Sequence, residues 1–449
     1  MKKTLIKNAR IVNEGKIMKG DVFIEGDTIM AVDEHLSATM GDVNIIDAEG
    51  RCLLPGVIDD QVHFREPGMT YKEDIAHGSR AAIAGGITSF IEMPNTKPHA
   101  TTHERMQEKF DIAAKTSYAN YSFMFGGAND NLEEIKKIDP LKIPALKVFM
   151  GSSTGDMLVD DNAALTAIFE NCPVPIVTHC EDEATIKANL EKYKAEYGDD
   201  IPIAYHPKIR SEEACFLSSS KAVKLAKKTG ARLHVFHIST AKELKLFTNR
   251  KPLKDKQITA EVCIHHLWFN EEDYEKKGTR IKWNPAVKTK KDQDALFKAL
   301  LNDKLDVIAS DHAPHTKAEK DNVYTKAPSG GPLVQHLLPA VLEFYHRGRI
   351  SLEKIVEKMC HNPAILFDIE KRGFIREGYK ADFVLVDLHA PWTVNSDTIF
   401  YKCGWSPFEK NTFTSRITHT FVNGQLVYEN FKFPKVEHRD VQRLTFDRR

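Results

Sequence analysis

The chain has 449 residues, 42% apolar and 28% charged, enough for one large core and a smaller module in a globular protein. Its 63 basic and 63 acidic side chains cancel, so no global charge recruits nucleic acid or an anionic membrane. No apolar run approaches the roughly 18 residues of a spanning helix, residues 1–7 lack a signal-peptide core, and seven single cysteines point to reduced thiols in the cytoplasm.

Short strands are expected at 4–6, 9–12, 21–25 and 28–32, with Gly26-Asp27 as a hairpin turn. Segments 381–387 and 417–428 have the same character, the latter turning at Asn423-Gly424. Strand-rich stretches at opposite ends predict one small β-sandwich module built from 1–54 and 366–449. Between them, apolar runs of strand length recur at about 57–63, 86–93, 120–126, 145–150, 174–179, 232–237, 258–264 and 306–311. Helical periodicity separates most of them, as at 218–228 and 292–301. The pattern predicts a (β/α)8 TIM-type barrel over 55–365; a doubly wound α/β sheet is the alternative. The polar stretch 316–331 reads as a mobile loop after the last strand.

In such a barrel, reactive groups gather at the C-terminal ends of strands. Four runs end in a metal-ligating type: His63, His179, His237 and Asp311. One His ending a strand is most often a hydrogen-bonded structural side chain. Imidazoles and a carboxylate on four different strands instead make a fitting donor set for zinc. Lys147 lies inside an apolar run, where an amine is costly unless it loses its charge or finds a partner; a snorkelling Lys is the plain alternative.

The string GVIDDQVHFREPG at 56–68 resembles the first-strand signature of the amidohydrolase superfamily, and its REPG tail resembles the dihydroorotases. EMPNT at 92–96 and SDHAPH at 310–315 are similar to further dihydroorotase motifs. NPA at 362–364 and GYKADF at 378–383 resemble the superfamily's return into its β module. The resemblance implies a cytoplasmic, zinc-dependent enzyme interconverting N-carbamoyl-L-aspartate and L-dihydroorotate, a step of pyrimidine synthesis. It implies that Lys147 is carbamylated, and that His63, Lys147, His179, His237 and Asp311 hold one or two zinc ions. Asp311 would also shuttle the catalytic proton. Arg65 and Asn95 would bind the substrate carboxylate, with Asn284 and His315 as further substrate contacts.

One position departs from the superfamily pattern: His-x-His becomes Gln61-Val62-His63. An amide oxygen ligates zinc less well than an imidazole. Three readings follow: a weakened or empty first metal site, Gln61 as an oxygen ligand, or a non-catalytic homologue acting as a binding partner. The retention of so many costly polar groups favours an active enzyme. Allantoinases and dihydropyrimidinases or hydantoinases are the alternatives within the class, and the Arg65–Asn95 pair is the feature that separates them. The expected partner is a small molecule, not nucleic acid or a membrane; the oligomeric state is left open, a homodimer included.

Overall fold

The computed structural model describes residues 2–37, 42–151, 157–435 and 440–448. β-Branched runs at both ends of the chain pair into a single eight-stranded sheet. Cys52–Pro55 is its hinge: it runs parallel to Lys3–Asn13 and antiparallel to Phe383–Asp387, with Leu53 opposite Leu385. Period-two alternation gives the sheet two apolar faces. Leu53, Phe383, Leu385 and Phe421 face a core of their own, while Leu54, Val384 and Val386 join the main core.

The expected strands 4–6 and 9–12 are one strand, Lys3–Asn13, with a bulge between Ile6 and Ala9. Asn8 takes the left-handed conformation there, φ 57°, so an apparent break in the pattern is an irregularity within a strand. The turn at Asn423-Gly424 forms as expected, both residues at positive φ between Arg416–Val422 and Gln425–Glu429. A Cβ at Gly424 would lie 2.1 Å from the Gly26 carbonyl oxygen, so a side chain is excluded there.

The middle of the chain is a TIM-barrel-type α/β body. Val57–Val62, Ile87–Glu92 and Asn120–Phe123 form one parallel sheet. Phe125–Gly126 starts a second, continuing through Leu146–Phe149, Ile176–His179, Leu233–Val235, Ile258–Cys263 and Val307–Ala309. The last run returns to the first: Val62 bridges His312, and the His63 amide donates to the His312 carbonyl at 2.7 Å. Ile58, Ile91, Met124, Ala145, Val177, Phe236 and Val307, each from a different run, form a separate interior cluster. The helices between are capped by their own sequence, as at Lys290–Leu301, where Thr289 and Asp292 form a capping box.

The 316–331 stretch is not the mobile loop its composition suggested. Lys320 is fully buried, its amine donating to the carbonyls of Lys282 and Pro328. Lys282 in turn donates to the carbonyls of Tyr324 and Ala327, and the Tyr324 hydroxyl meets His206 Nδ1 at 2.9 Å. Buried lysine amines satisfied by carbonyls fix the segment over the barrel mouth.

A buried Arg372–Asp382 ion pair sits beside the sheet, and Asn120 of the parallel body reaches it. Asp382 also accepts from Asn120 Nδ2 and from the Asn423 amide. Asp382→Ala is expected to cost about 3–5 kcal/mol, since it leaves a buried guanidinium without its carboxylate. Denaturant titration should show a lower midpoint at unchanged slope. An unchanged midpoint would refute the role.

Candidate active site

Gln61, His63, Arg65, Asn95, Lys147, His179, His237, Asn284, Asp311 and His315 line one cavity of about 340 Å3. His63 directly follows Val57–Val62, His179 ends its strand, and His237 and Asp311 each lie two residues beyond theirs. Arg65, His237 and Asp311 sit at φ 66°, 39° and 49°, a conformation non-glycine residues adopt at a cost of about 1–3 kcal/mol each. Three such residues around one cavity mark where the backbone is bent to aim side chains rather than to maximise stability.

Hydrogen bonding orients the imidazoles. His63 Nδ1 donates to Asn95 Oδ1 at 2.8 Å, leaving Nε2 facing Asp311 Oδ1 at 3.3 Å. Two ligands of a tetrahedral zinc, each roughly 2.0–2.1 Å from it, are about 3.3 Å apart. His179 Nε2 donates to Glu181 Oε2 at 2.9 Å, which turns Nδ1 toward His237 Nε2, also 2.9 Å away. His237 Nδ1 is buried with no partner among the described residues. A lone pair facing a carboxylate, two imidazole nitrogens 2.9 Å apart and a carboxylate behind one ring fit a bound cation. The residues present therefore suit a metal of the zinc class.

Burial sets the electrostatics. It pushes the Asp311 carboxyl up to about 7 and the Lys147 amine down to about 8. Lys147 is 1% exposed, its Nζ 4.0 Å from the Phe236 ring centre and 4.9 Å from that of Phe149, so it does not snorkel. Burial also lowers Arg65 to about 10. Its guanidinium donates to the Pro314 carbonyl and meets His315 Nε2 at 3.2 Å, and makes no ion pair among the described residues. Asn284 Oδ1 is buried without a partner among them. His315 has both ring nitrogens engaged, Nδ1 by Lys72 and Nε2 by the Ser329 carbonyl. Gln61 accepts a thiol hydrogen bond from Cys263 at 3.5 Å, so its oxygen is at the cavity and already partnered.

Several contributors escaped the sequence reading. Glu181 orients His179 and is itself held by Arg210 at 2.6 Å; its position two residues past His179 was the available signal. Lys72, paired with Glu319 at 2.9 Å, supports His315. Phe149, Trp283 and 328–330 wall the cavity, and nothing local in the sequence points to them.

Residues 52–427 match the model of the amidohydrolase family, and the chain belongs to that family. Within it, the chain is 34% identical to a dihydroorotase of Pyrococcus furiosus over 93% of its length and 92% of the relative's. A dihydroorotase of Methanosarcina mazei is 34% identical over 90% of each chain. Among solved structures, the L-hydantoinase (dihydropyrimidinase) of Arthrobacter aurescens superposes with a TM-score of 0.93 at 28% identity, covering 99% of this chain and 100% of that one. Among the described residues no helix is long and apolar enough to cross a membrane.

Proposed function

We propose that the chain is a zinc-dependent dihydroorotase that interconverts N-carbamoyl-L-aspartate and L-dihydroorotate in the cytoplasm. In this reading 55–365 form a closed (β/α)8 barrel and 1–54 with 366–449 a β-sandwich module; the Val62–His312 bridge supports closure. Curated relatives named dihydroorotase support the reaction. The observation that carries the substrate is Arg65: a buried guanidinium that donates to the Pro314 carbonyl and has no carboxylate partner among the described residues, at a cavity beside the imidazole and carboxylate donors. A buried cation of this kind wants an anion, and the dihydroorotate carboxylate supplies it.

His63, Lys147 as its carbamate, His179, His237 and Asp311 are the residues that would hold zinc, with Gln61 a sixth and weaker donor. Bound there, zinc supplies Lewis-acid polarisation of the ring carbonyl and acidifies water to a pKa of about 7. Arg65 and the Asn95 amide hold the carboxylate, and Asn284 Oδ1 accepts from a ring N–H. His315, at the cavity wall beside the guanidinium, is a further substrate contact. Asp311 takes the proton of the attacking water and returns it to the departing ring nitrogen. Trp283 and 328–330 close the cavity wall and limit bulk water.

The close superposition on a hydantoinase favours a second reading, in which the substrate is a cyclic amide without a carboxylate. Comparing turnover of dihydroorotate with its analogue lacking the carboxylate decides between them. Preference for dihydroorotate supports the first reading; equal rates refute it.

Gln61 bears on metal content. Its neutral oxygen is a weaker donor than the imidazole it stands in for. Gln61→His is expected to raise zinc in this cavity toward two ions, where the natural protein retains fewer there after the same dialysis, read from anomalous peaks at the zinc edge. Full occupancy of two zinc ions in this cavity of the natural protein, unchanged by the substitution, would show that the amide suffices.

A further inference from the structure

The strand run Ile258–Cys263 contributes no side chain to the interior apolar cluster. In its place Glu261 points inward, 0% exposed, beside Asp60 at 0% and His234 at 1%. Donor atoms of these three residues all lie within 4.8 Å of one another. His234 is three residues before His237 on the same run, so the cluster lies deeper along the strands than the cavity above.

The proton inventory is what makes the cluster unusual. The Thr259 hydroxyl donates to the Leu233 carbonyl at 3.3 Å, so it accepts from His234 Nδ1 at 2.8 Å. That fixes the tautomer and leaves the Nε2 lone pair facing Glu261 Oε2 at 3.3 Å and Asp60 Oδ2 at 3.7 Å. Glu261 Oε1 is held by the His237 amide at 3.2 Å, which turns Oε2 toward the ring. Both carboxylate oxygens of Asp60 are buried without a hydrogen-bond partner among the described residues. Two buried carboxyl groups and a lone pair aimed at one another are costly as anions unless a proton or a cation lies between them. The 3.3 Å spacing is about that between two ligands of a tetrahedral zinc. An imidazole oriented through its other nitrogen by a hydroxyl is the arrangement metal-bound histidines use.

We propose that Asp60, His234 and Glu261 form a second, buried binding site for a divalent cation of the zinc class, inside the barrel and separate from the active-site cavity. One nitrogen and two carboxylate donors suit zinc or manganese better than a thiolate-seeking or all-oxygen ion. The site is structural in character, since all three ligands are closed off from solvent.

Crystals of the unmutated protein grown with zinc chloride, measured at the zinc absorption edge, test this directly. An anomalous peak among Asp60, His234 and Glu261 is expected; a map with no peak there overturns the proposal. Asp60→Asn gives a solution test with an opposite sign for the two cases. If a cation binds, the variant loses one zinc per chain by elemental analysis and melts lower. If the carboxylates are merely crowded or share a proton, zinc content is unchanged and removing a charge leaves the melting temperature level or higher, which overturns the proposal. Should the variant fail to fold, the anomalous map still decides.

Discussion

Arg65→Ala is expected to lower kcat/KM for dihydroorotate by roughly 30-fold to several thousandfold, corresponding to about 2–5 kcal/mol for one partner of a desolvated charge pair. The guanidinium is buried, and the acceptor it donates to is the Pro314 carbonyl rather than a carboxylate. In the proposed reading, the substrate carboxylate supplies the direct anionic partner it lacks. Metal content and melting behaviour should change little, because Arg65 is not among the proposed metal donors. Arg65→Lys should recover only part of the loss, since an ammonium cannot make the two-pronged contact. Rates on a carboxylate-free analogue should be low in the natural protein and no lower in the variant. A loss of equal size on both substrates would assign Arg65 to the fold rather than to specificity.

Lys147→Ala is expected to lose bound metal and to lower activity by at least about 10–100-fold, the range seen even for groups one bond further from a metal. Carbamylation joins the neutral amine to carbon dioxide and yields an anionic, carboxylate-like donor. Burial against Phe236 and Phe149 brings the amine down to about 8, which supplies that neutral form near physiological pH. Short-chain carboxylates added with zinc should restore part of the rate in Lys147→Ala, because they replace an anion and not a cation. An unmodified ammonium at Lys147 in the electron density of the zinc-loaded protein would refute the role.

The parts of this molecule legible in its sequence were those encoded by local pattern. Apolar runs ending in His63, His179, His237 and Asp311 announced both the strands and the mouth where their last residues meet. The Asn423-Gly424 turn followed from the positive φ that type requires. What stayed hidden depended on three-dimensional partners. Asn8 disguised one bulged strand as two, and Lys282 with Lys320 pinned a segment whose polarity suggested mobility. The left-handed backbone at Arg65, His237 and Asp311 has no glycine or Asn-Gly step to signal it. Glu181 orients His179 through a bond that spacing hints at but does not require. Asp60 and Glu261, read as members of apolar strands, meet across the barrel only once the chain is folded.

The most direct test of the central claim is the turnover of L-dihydroorotate and N-carbamoyl-L-aspartate by the purified, zinc-loaded protein, beside the matching cyclic amide without a carboxylate. The account predicts interconversion in both directions, abolished by chelation, with the carboxylate-free analogue at least about 30-fold poorer in kcat/KM, the lower end of the loss from one unpaired buried charge. No turnover of dihydroorotate by protein that retains its zinc, or equal turnover of both cyclic amides, would contradict it.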